Sequence, residues 1–147
     1  MVPQFLALDD VLFIHEDRIR KYDGSSGLRD VGLLESALAM PQATFGGAYL
    51  HGTIDEMAAA YLFHIGRNHP FIDGNKRTAL ALRVGVSRLN GVRVAATEDE
   101  LYDLVIGCVE GIVDKAAIAA RFAARAAARM THQPCASFSF VFVSFLI

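Results

Sequence analysis

The stretch His69–Leu80, HPFIDGNKRTAL, decides how this chain folds. Pro70 pushes the residue before it out of helical geometry, so a helix arriving through MAAAYLFHIGRN has to end just ahead of it. KRTALALRVGVSRLN resumes helical spacing from about Asn75 until Gly91 stops it. The stretch is therefore a short turn between two helices. A helix N-terminus offers unpaired backbone N–H groups and a partial positive charge. Lys76 and Arg77 stand in that first turn, where cations oppose the macrodipole unless an anion offsets them. A local conflict of this kind points to function. Phosphate is the natural guest.

The side chains of the turn extend that reading. Gly74 lets a ligand approach the backbone, Arg77 offers a planar fork for phosphate oxygens, Lys76 a mobile point charge and Asn75 a neutral donor. Asp73 is the one carboxylate in the turn, and beside a phosphate cradle a carboxylate suits Mg²⁺. His69 ends the preceding helix, and imidazoles change charge near neutral pH, which suits one to take a proton from an attacking hydroxyl. Phe71 and Ile72 read as anchors that bury into the helix pair. Each polar residue alone has a structural use: His69 as a helix end, Asp73 as an N-cap, Arg77 as a solvated charge. Five polar types on one glycine-containing turn favour the anion site.

Outward from the turn, helical signals recur. Val11, Leu12, His15 and Ile19 share one face of a helix over about residues 8–22. Asp30 can cap a second helix over VGLLESALAM, which Pro41 stops. TFGGAYLHGT, residues 44–53, reads as a loop or short hairpin, and Thr53 with Glu56 then forms a capping box for the third helix. Thr97 and Glu100 repeat that box before LYDLVIGCVEG, and Asp114 can cap a last helix over KAAIAARFAARAAARM. VRVAA, residues 92–96, is the one interior strand-like segment. The expectation is an all-α, compact six-helix bundle with a possible small β-hairpin, formed by residues 1–129 and followed by an apolar tail over 130–147.

Composition narrows the function classes. At 147 residues and 53% hydrophobic the chain has ample material for one core. A net charge of −2 gives no basic field, so direct nucleic-acid binding is not expected and any anion must be held locally. Cys108 and Cys135 form no CxxC pair, which fits a reducing cytoplasm. Asp9 and Asp10 stand where a signal peptide needs an apolar run, and no segment reaches the roughly 18–20 apolar residues of a membrane span.

HPFIDGNKRTAL resembles the signature of the Fic/Doc superfamily, H-x-F-x-[DE]-[GA]-N-x-R. ALDDVLFIHEDRIRKYDGSSGLRDVGLLESAL upstream, with LNGVRV and CVEGIVDKAAIA downstream, resembles its death-on-curing branch. Fic adenylyltransferases carry a glycine after the asparagine and a second arginine three positions past the first. This chain has Lys76 and Leu80 there, as the death-on-curing toxins do, whereas Gly74 takes the Fic form.

The resemblance implies a toxin that binds ATP in a reversed orientation and passes its γ-phosphate to a threonine of elongation factor Tu, arresting translation. It implies His69 as general base, Asp73 as the Mg²⁺ ligand, and Gly74, Asn75, Lys76 and Arg77 as the nucleotide phosphate site. TFGGAYLHGT falls where such proteins carry a flap that aligns the target segment. Ile106 occupies the hydroxyl position of the S/T-x-x-x-E-G/N inhibitory motif, so inhibition is expected from a separate cognate antitoxin. Two alternatives stand beside this reading: a Fic-type adenylyltransferase, and a catalytically inactive module that binds a partner helix.

Overall fold

The computed structural model describes residues 2–94, 97–123 and 126–127. Its helices are α1 (Leu8–Lys21), α2 (Val31–Ala39), α3 (Ile54–Asn68), α4 (Asn75–Leu89), α5 (Glu98–Val109) and α6 (Lys115–Ala123). Four short strands accompany them: β1 (Thr44–Phe45), β2 (Ala48–Tyr49), β3 (Arg93–Val94) and β4 (Ala126–Ala127). The six-helix expectation holds.

Helix starts follow the capping residues. Thr53 and Glu56 satisfy each other's backbone N–H groups at the start of α3, and Thr97 and Glu100 do so at α5. Asp30 accepts from Leu33 N at 3.0 Å and Asp114 from Ala117 N at 2.7 Å. Pro41 ends α2 by turning the chain into a single 3₁₀ turn, Met40–Gln42.

Helix α3 is the centre of the bundle because MAAAYLFHIG is apolar nearly all round, and such a helix has to be buried. It packs on α4, α6, α2 and α5. Ala58, Ala59 and Ala60 have no exposed surface, so neighbouring helices lie close against it. The buried Tyr61 hydroxyl accepts from Leu6 N at 3.2 Å, tying down the N-terminal segment, and burial pushes its phenol up to about 12.

One expected boundary and one expected buried face are corrected. The last helix stops at Ala123 rather than continuing to Met130, because Ala126 and Ala127 pair antiparallel with Val94 and Arg93 and give their backbone groups to that ladder. On α1 it is Ile14 that is buried with Val11, His15 and Ile19, whereas Leu12 packs only partly. The tail over 130–147 lies outside the described residues.

The segment at 44–53 does form a hairpin. Gly46 (φ 59°) and Gly47 (φ 82°) place both central residues of the β1–β2 turn in the left-handed region, which glycine adopts without penalty and which matches strand twist. Phe45 at its tip is 81% exposed.

One consequence of the packing is a pH dependence. Burial, then the Lys115 ammonium 3.5 Å from its Nε2, lowers the His64 imidazole from 6.5 to about 4. Between those values the unfolded chain binds more protons than the folded one, so stability falls as pH drops through that window. Thermal midpoints should decline from pH 6.5 towards 4, and His64→Gln should flatten that slope. An unchanged slope in the variant assigns it to other groups.

Candidate active site

The turn between α3 and α4 is held from both sides. His69 caps α3 in the left-handed region at φ 48°, one of two described non-glycine residues with positive φ. Such a conformation costs on the order of 1 kcal/mol and persists only where the surroundings impose it. Here the segment joining α1 to α2 imposes it. Arg29 Nε donates to the His69 carbonyl at 2.7 Å and its Nη2 to that of Asn68 at 2.8 Å, which also places a cation at the negative end of α3. The backbone N–H groups of Arg29 and Asp30 both donate to the Pro70 carbonyl, and Ile72 N donates to Gly27 O at 3.0 Å.

Phe71 is the buried anchor, 1% exposed, but Ile72 is 61% exposed, against expectation. The backbone here runs alongside residues 27–30, and extended chain sends successive side chains to opposite sides. Only one of the pair can point inward.

Asn75 is also placed differently from the expected free donor. Its Oδ1 accepts from Phe71 N and its Nδ2 donates to Phe71 O, both at 2.9 Å, and the residue is buried. The amide closes the turn, and what it leaves for an anion is its backbone N–H at the start of α4. Asn75→Ala would strand two buried backbone groups, at about 1–3 kcal/mol for each unsatisfied group. The urea midpoint should drop accordingly; an unchanged midpoint removes the clamp role.

Gly74 is the N-cap of α4 at φ 76°, and no side chain caps that helix. A Cβ there would stand 2.9 Å from Ile19 Cδ1, so glycine is needed for both conformation and close approach to α1. The first-turn N–H groups remain open to a ligand.

Asp73 faces the same opening. Its Oδ2 accepts from Ser25 N at 3.1 Å and its Oδ1 from Gly74 N at 2.6 Å, with Arg77 Nη2 at 3.5 Å from Oδ1. These N–H groups, the Ser25 one first, and then the Arg77 charge hold the carboxyl below its usual range. An ionised, partly exposed carboxylate with a nearby anion cradle fits a divalent cation that takes phosphate oxygens as its other ligands.

Arg77 lies over the Tyr22 ring at 5.2 Å. It opens with Lys76, Asp73 and His69 into a cleft of about 1070 Å³, large enough for a nucleotide. All six candidate residues, His69, Asp73, Gly74, Asn75, Lys76 and Arg77, line it. So do residues that sequence reasoning missed: Arg18 from α1 and Tyr22 just past its end, Arg88 from α4, and Asp99 and Tyr102 from α5. The i, i+4 spacing of Arg18 and Tyr22 put them on one helical face, but nothing local said which element that face meets.

Residues 5–84, from before α1 to most of α4, match the Fic/DOC family. The chain belongs to that family. Over 112 residues it is 40% identical to Toxin Doc of Mycolicibacterium smegmatis, covering 75% of this chain and 86% of that protein. It is 35% identical over 112 residues to Protein kinase doc of Escherichia phage P1, covering 76% and 86%. The Fic/DOC match includes the whole α3–α4 turn and its α1–α2 support, while Arg88, Asp99 and Tyr102 lie beyond it.

Proposed function

We propose that this Fic/DOC protein is the toxin of a toxin–antitoxin pair and a protein kinase: it transfers the γ-phosphate of ATP to a hydroxyl of a protein substrate, a threonine of elongation factor Tu being the expected acceptor. The observation that carries the reading is the convergence on one cleft of an uncapped helix start, the Lys76 and Arg77 cations, an ionised Asp73 and the adjoining His69. The names of the two relatives support the toxin and kinase parts, and a toxin of this kind is expected to be held in check by a cognate antitoxin.

In this mechanism the phosphates lie against the N–H groups of the first turn of α4, with Lys76 and Arg77 offsetting their charge. Asp73 would hold Mg²⁺, which supplies further charge neutralisation. The acceptor oxygen attacks the γ-phosphorus, the bond to the bridging oxygen of ADP breaks, and His69 takes the hydroxyl proton. Leu80 lines the cleft where adenylyltransferases of the family carry a second arginine, so one cation that would pin a terminal phosphate deep in the site is missing. That favours γ- over α-phosphate transfer.

The test is incubation with elongation factor Tu and ATP labelled at either the γ or the α position. Label from the γ position only, with the mass of one phosphate added to the factor, is the expected result. Addition of AMP, with label from the α position, would replace the kinase reading with adenylyl transfer.

A further inference from the structure

We propose that His15, on α1 and outside the family signature, is a positioning residue for the anion-binding turn. The inference rests on the phosphate-site reading above. His15 is 2% exposed and lies 58 positions from the group it bonds. Its Nε2 is 2.9 Å from the Asp73 carbonyl oxygen; a carbonyl only accepts, so Nε2 carries the proton and donates. Its ring stacks on Phe71, centroids 3.8 Å apart and planes 7° from parallel. One imidazole thus grips the turn at the aromatic anchor and at the peptide that joins Asp73 to Gly74.

That peptide sets two directions at once. Its carbonyl end belongs to Asp73 and fixes the residue whose carboxylate faces the cleft. Its nitrogen end belongs to Gly74, the N-cap from which the first N–H groups of α4 are aimed. A Cβ on Gly74 would lie 3.8 Å from His15 Nε2 as well as 2.9 Å from Ile19 Cδ1, so His15 and Ile19 form the bed on which the cradle sits. Packing alone would be met by phenylalanine or leucine, since a polar group is costly to bury unless it finds a partner. The partner here is the one carbonyl whose rotation would swing both phosphate donors and carboxylate.

His15→Phe keeps a ring to stack on Phe71 and removes the donor; His15→Gln places an amide Nε2 where the imidazole nitrogen was. With a misplacement of about 1 Å worth roughly 10²-fold in reactivity, transfer by His15→Phe should fall by about that factor. Its calorimetric affinity for ATP with magnesium should weaken as well, with the thermal midpoint little changed, and His15→Gln should restore most of both. If His15→Phe does not fold, His15→Asn, whose donor sits too close to the backbone, takes its place against His15→Gln. Unchanged nucleotide affinity and transfer in a folded His15→Phe overturns the proposal. So does an equal loss in the Gln and Phe proteins that tracks their thermal midpoints, which is what packing alone would give. A parent protein that binds ATP but transfers AMP fails the kinase reading only, because the His15 comparison is still read on binding; one that binds no nucleotide overturns both.

Discussion

Replacing His69 should abolish most transfer while leaving the fold and the nucleotide site in place. Under the proposed function the imidazole removes the acceptor proton, and a positioned general base contributes about 10²–10⁴ in rate. His69→Asn is the sharper variant, because asparagine tolerates the left-handed backbone that His69 occupies at φ 48°, whereas alanine adds backbone strain. The backbone at this position is fixed by the Arg29 guanidinium on its carbonyl and by two N–H donors on the Pro70 carbonyl, none of which depends on the imidazole. Single-turnover transfer should therefore fall by about 10²–10⁴ in both variants, with ATP affinity within a few-fold of the parent. Transfer within tenfold of the parent would remove His69 from the proton-transfer role. A parallel collapse of ATP affinity would instead make it part of the phosphate site.

How much of this was legible in the sequence depended on how far each signal had to travel. Caps and breaks are written in neighbouring residues: Thr53 with Glu56, Asp30 with Leu33, Pro70 after His69, and the glycine pair of the hairpin. Those readings set the helices and therefore the turn. Interactions across the fold were not legible. That Arg29 would bond the end of α3, or that Ser25 would donate to Asp73, depends on how the α1–α2 segment lies against α4, which no local pattern specifies. Asn75 shows the intermediate case. Its residue type and place at a helix start suggested a free donor, but an amide four residues after a buried phenylalanine can equally satisfy that residue's backbone, and the buried groups take precedence over solvent-facing ones. For α6 the alanine-rich pattern ran on past Ala123, and only the presence of β3 as a partner explains the switch to strand.

Asp73→Asn should separate the magnesium-dependent part of nucleotide binding from the part carried by backbone and cations. The carboxyl is held below its ordinary value by the Ser25 and Gly74 N–H groups and by Arg77, so it stays ionised throughout pH 5–9 and its own protonation does not limit cation binding there. A depressed carboxyl stabilises the fold above its unfolded value and loses that contribution only as pH falls through the lower folded one. The Asn variant should thus match the parent in thermal midpoint dependence on pH across 5–9 and differ only in stronger acid. Asparagine keeps one oxygen to accept an N–H but lacks the charge. It also releases Arg77 from its carboxylate neighbour at 3.5 Å, leaving the guanidinium more available to a phosphate. Without magnesium, ATP should therefore bind the variant as well as or better than it binds the parent. With magnesium the parent should tighten and the variant should not, and its transfer should fall by about 10²–10³. An Asp73→Asn protein that still tightens on ATP when magnesium is added would place the cation on another group of the cleft, with Asp99, which lines it from α5, the first carboxylate to replace in turn.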